Sequence, residues 1–221
     1  MSRRPRLADR RRTGKRTRGQ GLVEFALFVP LFLLLLFTML DFGFAMYTKL
    51  TVDYATREGA RVGAALAAGG GAIPCAQVDN HVIAAVQRVL ESAGISVPLN
   101  NSGNNTKSGV NWIRIYKATN NADGSGYLTA NNYNEWTYSA GNGPTVDGSP
   151  LNFVAGTQSW SACAPRLNGV NPDKIGVAVD YSYAWTTPLL GALKLVVPSG
   201  SFFNNLRFVD KTVMNLNPTF P

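Results

Sequence analysis

From Phe25 to Leu40 every position is uncharged, and the run "LFLLLLF" at 31–37 is apolar on every side. A helix in a small soluble domain keeps a polar face, so this pattern disfavours a buried core helix. With its flanks, Gly21 to Met46 reaches the ~20 residues that cross a bilayer. The alternative, a cleaved secretory signal, has an apolar region of ~7–15 residues ending in small residues. Here the apolar stretch is longer and runs on into helix-forming sequence, which favours an uncleaved anchor. Pro30 removes one backbone donor and is expected to bend the helix. In lipid the freed carbonyl needs a neighbour, a mild sign of helix–helix packing.

The helical period continues beyond the apolar stretch. Phe44, Tyr47, Leu50, Tyr54, Val62 and Leu66 fall in one broad stripe, with Lys49, Asp53 and Arg57 on or near the other side. The stripe is expected to bury against a globular head. Gly69-Gly70-Gly71 is the stop signal. If unbroken from Gln20, the helix is about 70 Å long at ~1.5 Å per residue. Gly59 and Gly63, four apart, would allow another backbone to come close.

After the triple glycine, Pro74 opens a second helix. Val78, Val82, Ala85, Val86, Val89 and Leu90 repeat at three and four, and Gly94 ends it. Strands are predicted at Val110–Lys117, Ile175–Trp185 and Leu206–Leu216. The second alternates large apolar with small or polar residues over its whole length. One face of the sheet is expected to meet solvent, which favours antiparallel pairing. The Asn/Gly/Ser-rich stretches at 100–109 and 119–136 read as turns and surface loops. Tyr133, Trp136, Tyr138 and Trp160 are assigned to strands and a small core, ahead of a sugar-binding platform. Around Asn121–Gly126 the Asp density is too low for a dedicated calcium cage.

Charge changes the picture of the leader only. The chain of 221 residues carries a net +8. Residues 1–19 hold nine Lys/Arg and one Asp, a net +8, so the remainder sums to zero. A neutral body has no general attraction for phosphate, and no nucleic-acid partner is expected. A basic leader beside a membrane helix stays on the cytoplasmic side, which puts everything after Asp41 outside.

Glu24 stands at the edge of the apolar helix, where a carboxylate is costly. Cleavage after Gly19 would give it a use: Gln20 would carry a free ammonium one helical turn away. The dipole favours an acid near that terminus. Two opposite charges at the top of an apolar helix can set the register between neighbouring helices. The alternative is an interfacial carboxylate that snorkels to water. Gly19, Gln20-Gly21-Leu22-Val23 and Glu24-Phe25 resemble a type IV prepilin cleavage site. The stretch from about Arg18 to Ala68 resembles the TadE/TadG-like pseudopilins of Tad/Flp tight-adherence pilus systems. The pieces that carry this are Val23-Glu24-Phe25-Ala26, Pro30-Leu31, Asp41-Phe42-Gly43 and Arg57-Glu58-Gly59-Ala60-Arg61. Phe44 departs from the pattern, since the family often has a basic residue there.

Together the predicted helices and strands make an α+β fold with a long N-terminal pilin-like helix, its first half membrane-spanning. The C-terminal head would hold a short helix and a small, mostly antiparallel sheet. The divisions are a basic leader at 1–19, the TadE-like helix at 20–68 and an extracytoplasmic head at 72–221. Gly19 and Gln20 flank the processed bond, and Glu24 with Phe25 serves register and assembly. Asp41, Gly43, Arg57, Glu58, Gly59 and Arg61 are the family motif. The implied partners are a prepilin peptidase, other Tad pilus subunits with their assembly platform, and the inner membrane. The competing reading is a permanently anchored envelope protein whose head binds a surface or a protein partner.

Within the helix Glu58 pairs either with Arg61, three residues on, or with another subunit or the head; buried charges are rarely left unpaired, which favours the local pair. Cys75 and Cys163 both lie outside the predicted membrane segment, where a disulfide persists. Two free thiols are the alternative. His81 has no Cys or Glu at metal-ligand spacing, so no metal and no cofactor is expected. No nucleophile–base–acid set and no phosphate-cradling loop is legible, and the chain is not expected to be an enzyme.

Overall fold

The computed structural model describes residues 19–67, 69, 72–95, 108–118, 132–163, 166, 173–185 and 206–216. The basic leader up to Arg18 and the Asn121–Gly126 stretch lie outside these. Helix α1 runs from Gln20 to Leu66, 47 residues, with Pro30 inside it and no interruption. A one-turn 3₁₀ helix, Cys75–Gln77, leads into α2, Val78–Ser92. Among the described residues five longer strands follow: β1 Gly109–Ala118, β2 Tyr133–Tyr138, β5 Phe153–Gln158, β6 Lys174–Tyr183 and β7 Leu206–Asn215. A small hairpin of β3 Thr145–Val146 and β4 Ser149–Pro150 stands apart from the main sheet.

The main sheet has the order β5-β2-β1-β6-β7, and every neighbouring pair is antiparallel. The fold is α+β, with α1 and α2 packed together over the sheet. Two strands of this sheet were not predicted: β2 begins at Tyr133, inside the stretch expected to be loop, and β5 carries no period-two signal. Trp136 and Trp160 lie in the main core.

Two expectations are corrected. The first is the side of α1 that meets the head. The residues buried are small: Ala45, Thr48, Val52, Ala55, Thr56, Gly59, Ala60 and Gly63 among them. The lower part of the large stripe points away, with Tyr47 51%, Leu50 58% and Tyr54 64% exposed, while Val62 further up packs half-buried against the core. Close packing is the reason. A Cβ at Gly59 would stand 2.5 Å from Val86 Cγ2, and one at Gly63 2.5 Å from Ile175 Cδ1. The two glycines therefore admit side chains of this chain's own head, from α2 and β6, where another backbone had been expected. A surface lined by Tyr and Leu could not come so near.

The second correction concerns β6. Its large residues Ile175, Val177, Val179, Tyr181 and Tyr183 enter the core under the helices as the alternation predicts. The small face does not meet solvent, and every position from Ile175 to Tyr183 is buried. Gly176 leaves room for the Tyr116 ring, which joins Ala118 and Ala178 in a second cluster flanked by Trp112, Tyr133 and Val213. Asp180, also on that face, accepts from Asn111 Nδ2 at 2.7 Å and is paired with Arg207.

The strands run along α1. Gly63 meets Ile175 at the start of β6, and the Tyr183 hydroxyl, at its end, donates to the Asp41 carbonyl at 3.4 Å. Helix α2 also runs back along α1, from Val82 against Gly63 to the Ala93 carbonyl, which accepts from the Tyr47 hydroxyl at 3.0 Å. The C-terminal ends of α2 and β6 thus lie at the end of the head nearest the apolar half of α1.

The glycines make a stability test. Gly59→Ala should destabilise the head by ~1–3 kcal/mol, because the stiff Val86 side chain cannot swing clear. At Gly43 a Cβ meets nothing within 4 Å, so Gly43→Ala should stabilise by ~0.5–1 kcal/mol. Thermal or denaturant unfolding of the detergent-solubilised chain would read both, and equal effects at the two sites would contradict the packing.

Asp210 on β7 supplies a test in pH. Desolvation, and then the Asp53 carboxylate, hold its acid above the usual range against the opposing pull of Lys49. A raised acid is a liability once ionised: the cost is absent below the unfolded value and complete above the folded one. Asp210→Asn should therefore raise the melting temperature at neutral pH, with the gain vanishing in acid. A gain that persists unchanged below the ordinary carboxylate range would contradict this.

Candidate functional site

The N-terminal end of α1 carries the residues that the cleavage-site resemblance singles out. Gly19 precedes the first helical residue, Gln20, and its carbonyl accepts the Val23 N–H at 3.2 Å. No side chain caps the helix there. Gln20 Nε2 donates to Glu24 Oε1 at 3.1 Å, one turn along the same face. Glu24 and Phe25 are exposed, and the head reaches neither. The most apolar window of 18 residues in α1 has a mean hydropathy of 2.5 and no part of it buried.

Contact with the head begins abruptly. Leu40 is 49% exposed, and Asp41 is fully buried. Leu22 to Leu40 is 19 positions, roughly 28 Å of helix, close to the ~30 Å of a hydrocarbon core. An apolar face continues past this point through Tyr47, Leu50 and Tyr54. It then gives way to charge. Arg57 Nη2 lies 2.9 Å from Asp53 Oδ2. Arg61 donates to both oxygens of Glu58, at 2.8 and 2.6 Å.

The family-motif residues thus divide between two faces. Asp41 and Gly59 turn to the head. Arg57, Glu58 and Arg61 lie on the outer side as paired surface charges, and Gly43 faces open space. Glu24 is far from all of them: 34 positions before Glu58, it stands roughly 50 Å away along the helix.

Sequence reasoning missed a polar centre in the head. Arg166, with no exposure, donates to Asp79 at 2.7 and 3.0 Å in a fork-to-carboxylate pair. Asn134 Nδ2 donates to the same carboxylate at 2.5 Å and to the Trp160 carbonyl at 2.7 Å, while its Oδ1 accepts the Trp160 N–H at 2.9 Å. The Arg166 guanidinium lies over the Trp160 ring at 4.0 Å. Cys75 and Cys163 form a disulfide beside this network, with a Cα–Cα distance of 4.9 Å. One signal was available. Asp79 falls on the same face of α2 as Val78, Val82 and Ile83, and an acid there needs a buried partner. Nothing in the spacing pointed to Arg166, 87 residues on.

Residues 19–61 match the family model described as TadE-like protein. That match lies along the first helix and covers less than a quarter of the chain. No curated protein and no solved structure matches the chain. The TadE-like segment covers the apolar half of α1 and the part that runs beneath the head as far as Arg61. The family points to a pilin-like protein associated with Tad pili, and the exposed apolar helix fits a membrane-anchored one.

Arg166→Ala should cost about 3–5 kcal/mol, because it strands a buried carboxylate. Circular dichroism melts of the solubilised chain would measure it, and a loss below that of an ordinary surface substitution would show that the pair does not organise the head.

Proposed function

We propose that this protein is a minor pilin-like subunit of a Tad-type pilus or its assembly machine, with a structural and not a catalytic role. The first half of α1 holds it in the inner membrane, with the leader cytoplasmic and the head outside. A prepilin peptidase cuts between Gly19 and Gln20. The new ammonium at Gln20 and the Glu24 carboxylate, on the same or a neighbouring chain, then set the axial offset of packed helices. Other Tad pilus subunits and the assembly platform are the partners.

The observation that carries this reading is the division of labour around α1. The head takes the small-residue face, and the large apolar side chains remain free from Leu22 to Tyr54. A helix that served only as a tether would have no use for exposed Leu50 and Tyr54 above the membrane. A helix that bundles with its neighbours needs such a surface. The Gln20–Glu24 hydrogen bond supports the register role, because it places the two groups within one turn. The amide now at Glu24 belongs to the residue that would carry the ammonium.

Mass spectrometry of the protein from peptidase-positive cells should find a chain that begins at Gln20. Glu24→Ala should reduce its incorporation into pili while leaving membrane insertion intact. A chain that keeps its arginine-rich leader, together with full assembly of the Glu24→Ala variant, would favour the permanent anchor instead.

A further inference from the structure

Where α1 leaves its apolar half, the described residues of the head do not close against it. An open groove of about 950 Å³ runs between the helix and the near end of the head. Its lower lip is Leu36, Met39 and Leu40, and its upper wall includes Ile95, Tyr181 and Tyr183. We propose that this groove seats an acyl chain of a bilayer phospholipid, so that the near end of the head rests in the membrane interface. The proposal rests on the membrane-anchored reading of α1.

Continuity is the first argument. Leu36, Met39 and Leu40 belong to the apolar segment that fits the hydrocarbon core, so the lower end of the groove opens into lipid and not into water. The second is the rim. Tyr47, Tyr181, Tyr183 and Trp185 gather at the level where the helix leaves that core. Aromatic side chains of this kind favour the headgroup level, where the ring meets apolar matter and the polar tip stays satisfied. The Tyr47 and Tyr183 hydroxyls donate inward to backbone carbonyls, which leaves their rings to line the groove. Walls of this composition offer water few partners.

The third argument is Gly43. A glycine inside a helix costs about 0.5–1 kcal/mol relative to alanine. At Gly59 and Gly63 close contacts with Val86 and Ile175 explain the cost. At Gly43 no atom of the described residues would crowd a Cβ, yet the residue lines the groove. Its missing side chain keeps the groove wide. A second copy of α1 is the competing occupant, but the groove is roofed by the head at one end and open to lipid at the other, which suits a thin flexible chain better than a helix about 10 Å across.

The test uses the full chain in phosphatidylcholine vesicles whose acyl chains are brominated, against the same vesicles without bromine. Trp185, whose ring packs edge-on to Tyr183 with centroids 5.8 Å apart, is the reporter. Trp136 and Trp160, buried in the head, serve as the reference. Bromine should quench part of the emission, Trp185→Phe should abolish that quenching, and Gly43→Leu should diminish it with the fold retained by circular dichroism. Gly43→Ala gives a milder filling should the leucine disturb the helix. Emission of wild-type protein that floats with the vesicles yet ignores bromine would overturn the proposal while leaving the anchor standing. So would an environment of Trp185 that follows the protein-to-lipid ratio and not bromination, since a second copy would then fill the groove. Failure to float would remove the anchored reading as well.

Discussion

The architecture depends on how closely one face of α1 can approach the head. Ala45, Val52, Ala55, Gly59, Ala60 and Gly63 make a smooth track, and the side chains that enter it come from α2 and β6. Such contact brings Val82, Val86, Val177 and Ile175 into one core with the helix. Each fully buried side chain of this size contributes ~1.5–3 kcal/mol. The head therefore gains its stability from the least bulky residues of the helix. The bulkier ones stay available for other surroundings.

That arrangement lets one helix serve two solvents. In its first half, apolar residues surround the axis and suit lipid on all sides. In its second half, the track must face protein, while Tyr47, Leu50 and Tyr54 extend the lipid-compatible face upward for about two turns. Charge then takes over, as paired and not as isolated groups. Asp53 with Arg57 and Glu58 with Arg61 neutralise each other within single turns. Exposed pairs of this kind contribute little to stability. They make the upper helix soluble without adding a net field.

Much of this was legible in the sequence. The membrane-length helix, α2, β1, β6 and β7 all follow from period and from Gly or Pro punctuation. The face of α1 was misjudged because a hydrophobic wheel weights side-chain size, whereas close helix packing selects for its absence. Gly59 and Gly63 carry the relevant signal, since their spacing is visible in the sequence even though their partners Val86 and Ile175 are not. β2 was obscured by the Asn-rich sequence that runs into it, and Asn134 turns out to be a buried hub and not a loop residue. The Arg166–Asp79 pair could not be found at all, since a contact across 87 residues leaves no periodic trace.

The position of Asp41 ties the two ends of the account together. It is the first residue after the apolar stretch and is completely buried, so the head starts without any spacer. A flexible linker would let the head tumble above the bilayer and would decouple it from the helix below. Without one, the strands, α2 and α1 share a single direction, and a shift of the helix along its axis moves the head by the same amount. On the proposed reading, a register set at Glu24 would be transmitted roughly 50 Å to the charged pairs near Glu58, through a rod of unbroken backbone hydrogen bonds apart from the donor missing at Pro30. A device that works by axial offset needs that stiffness, and a mere tether does not.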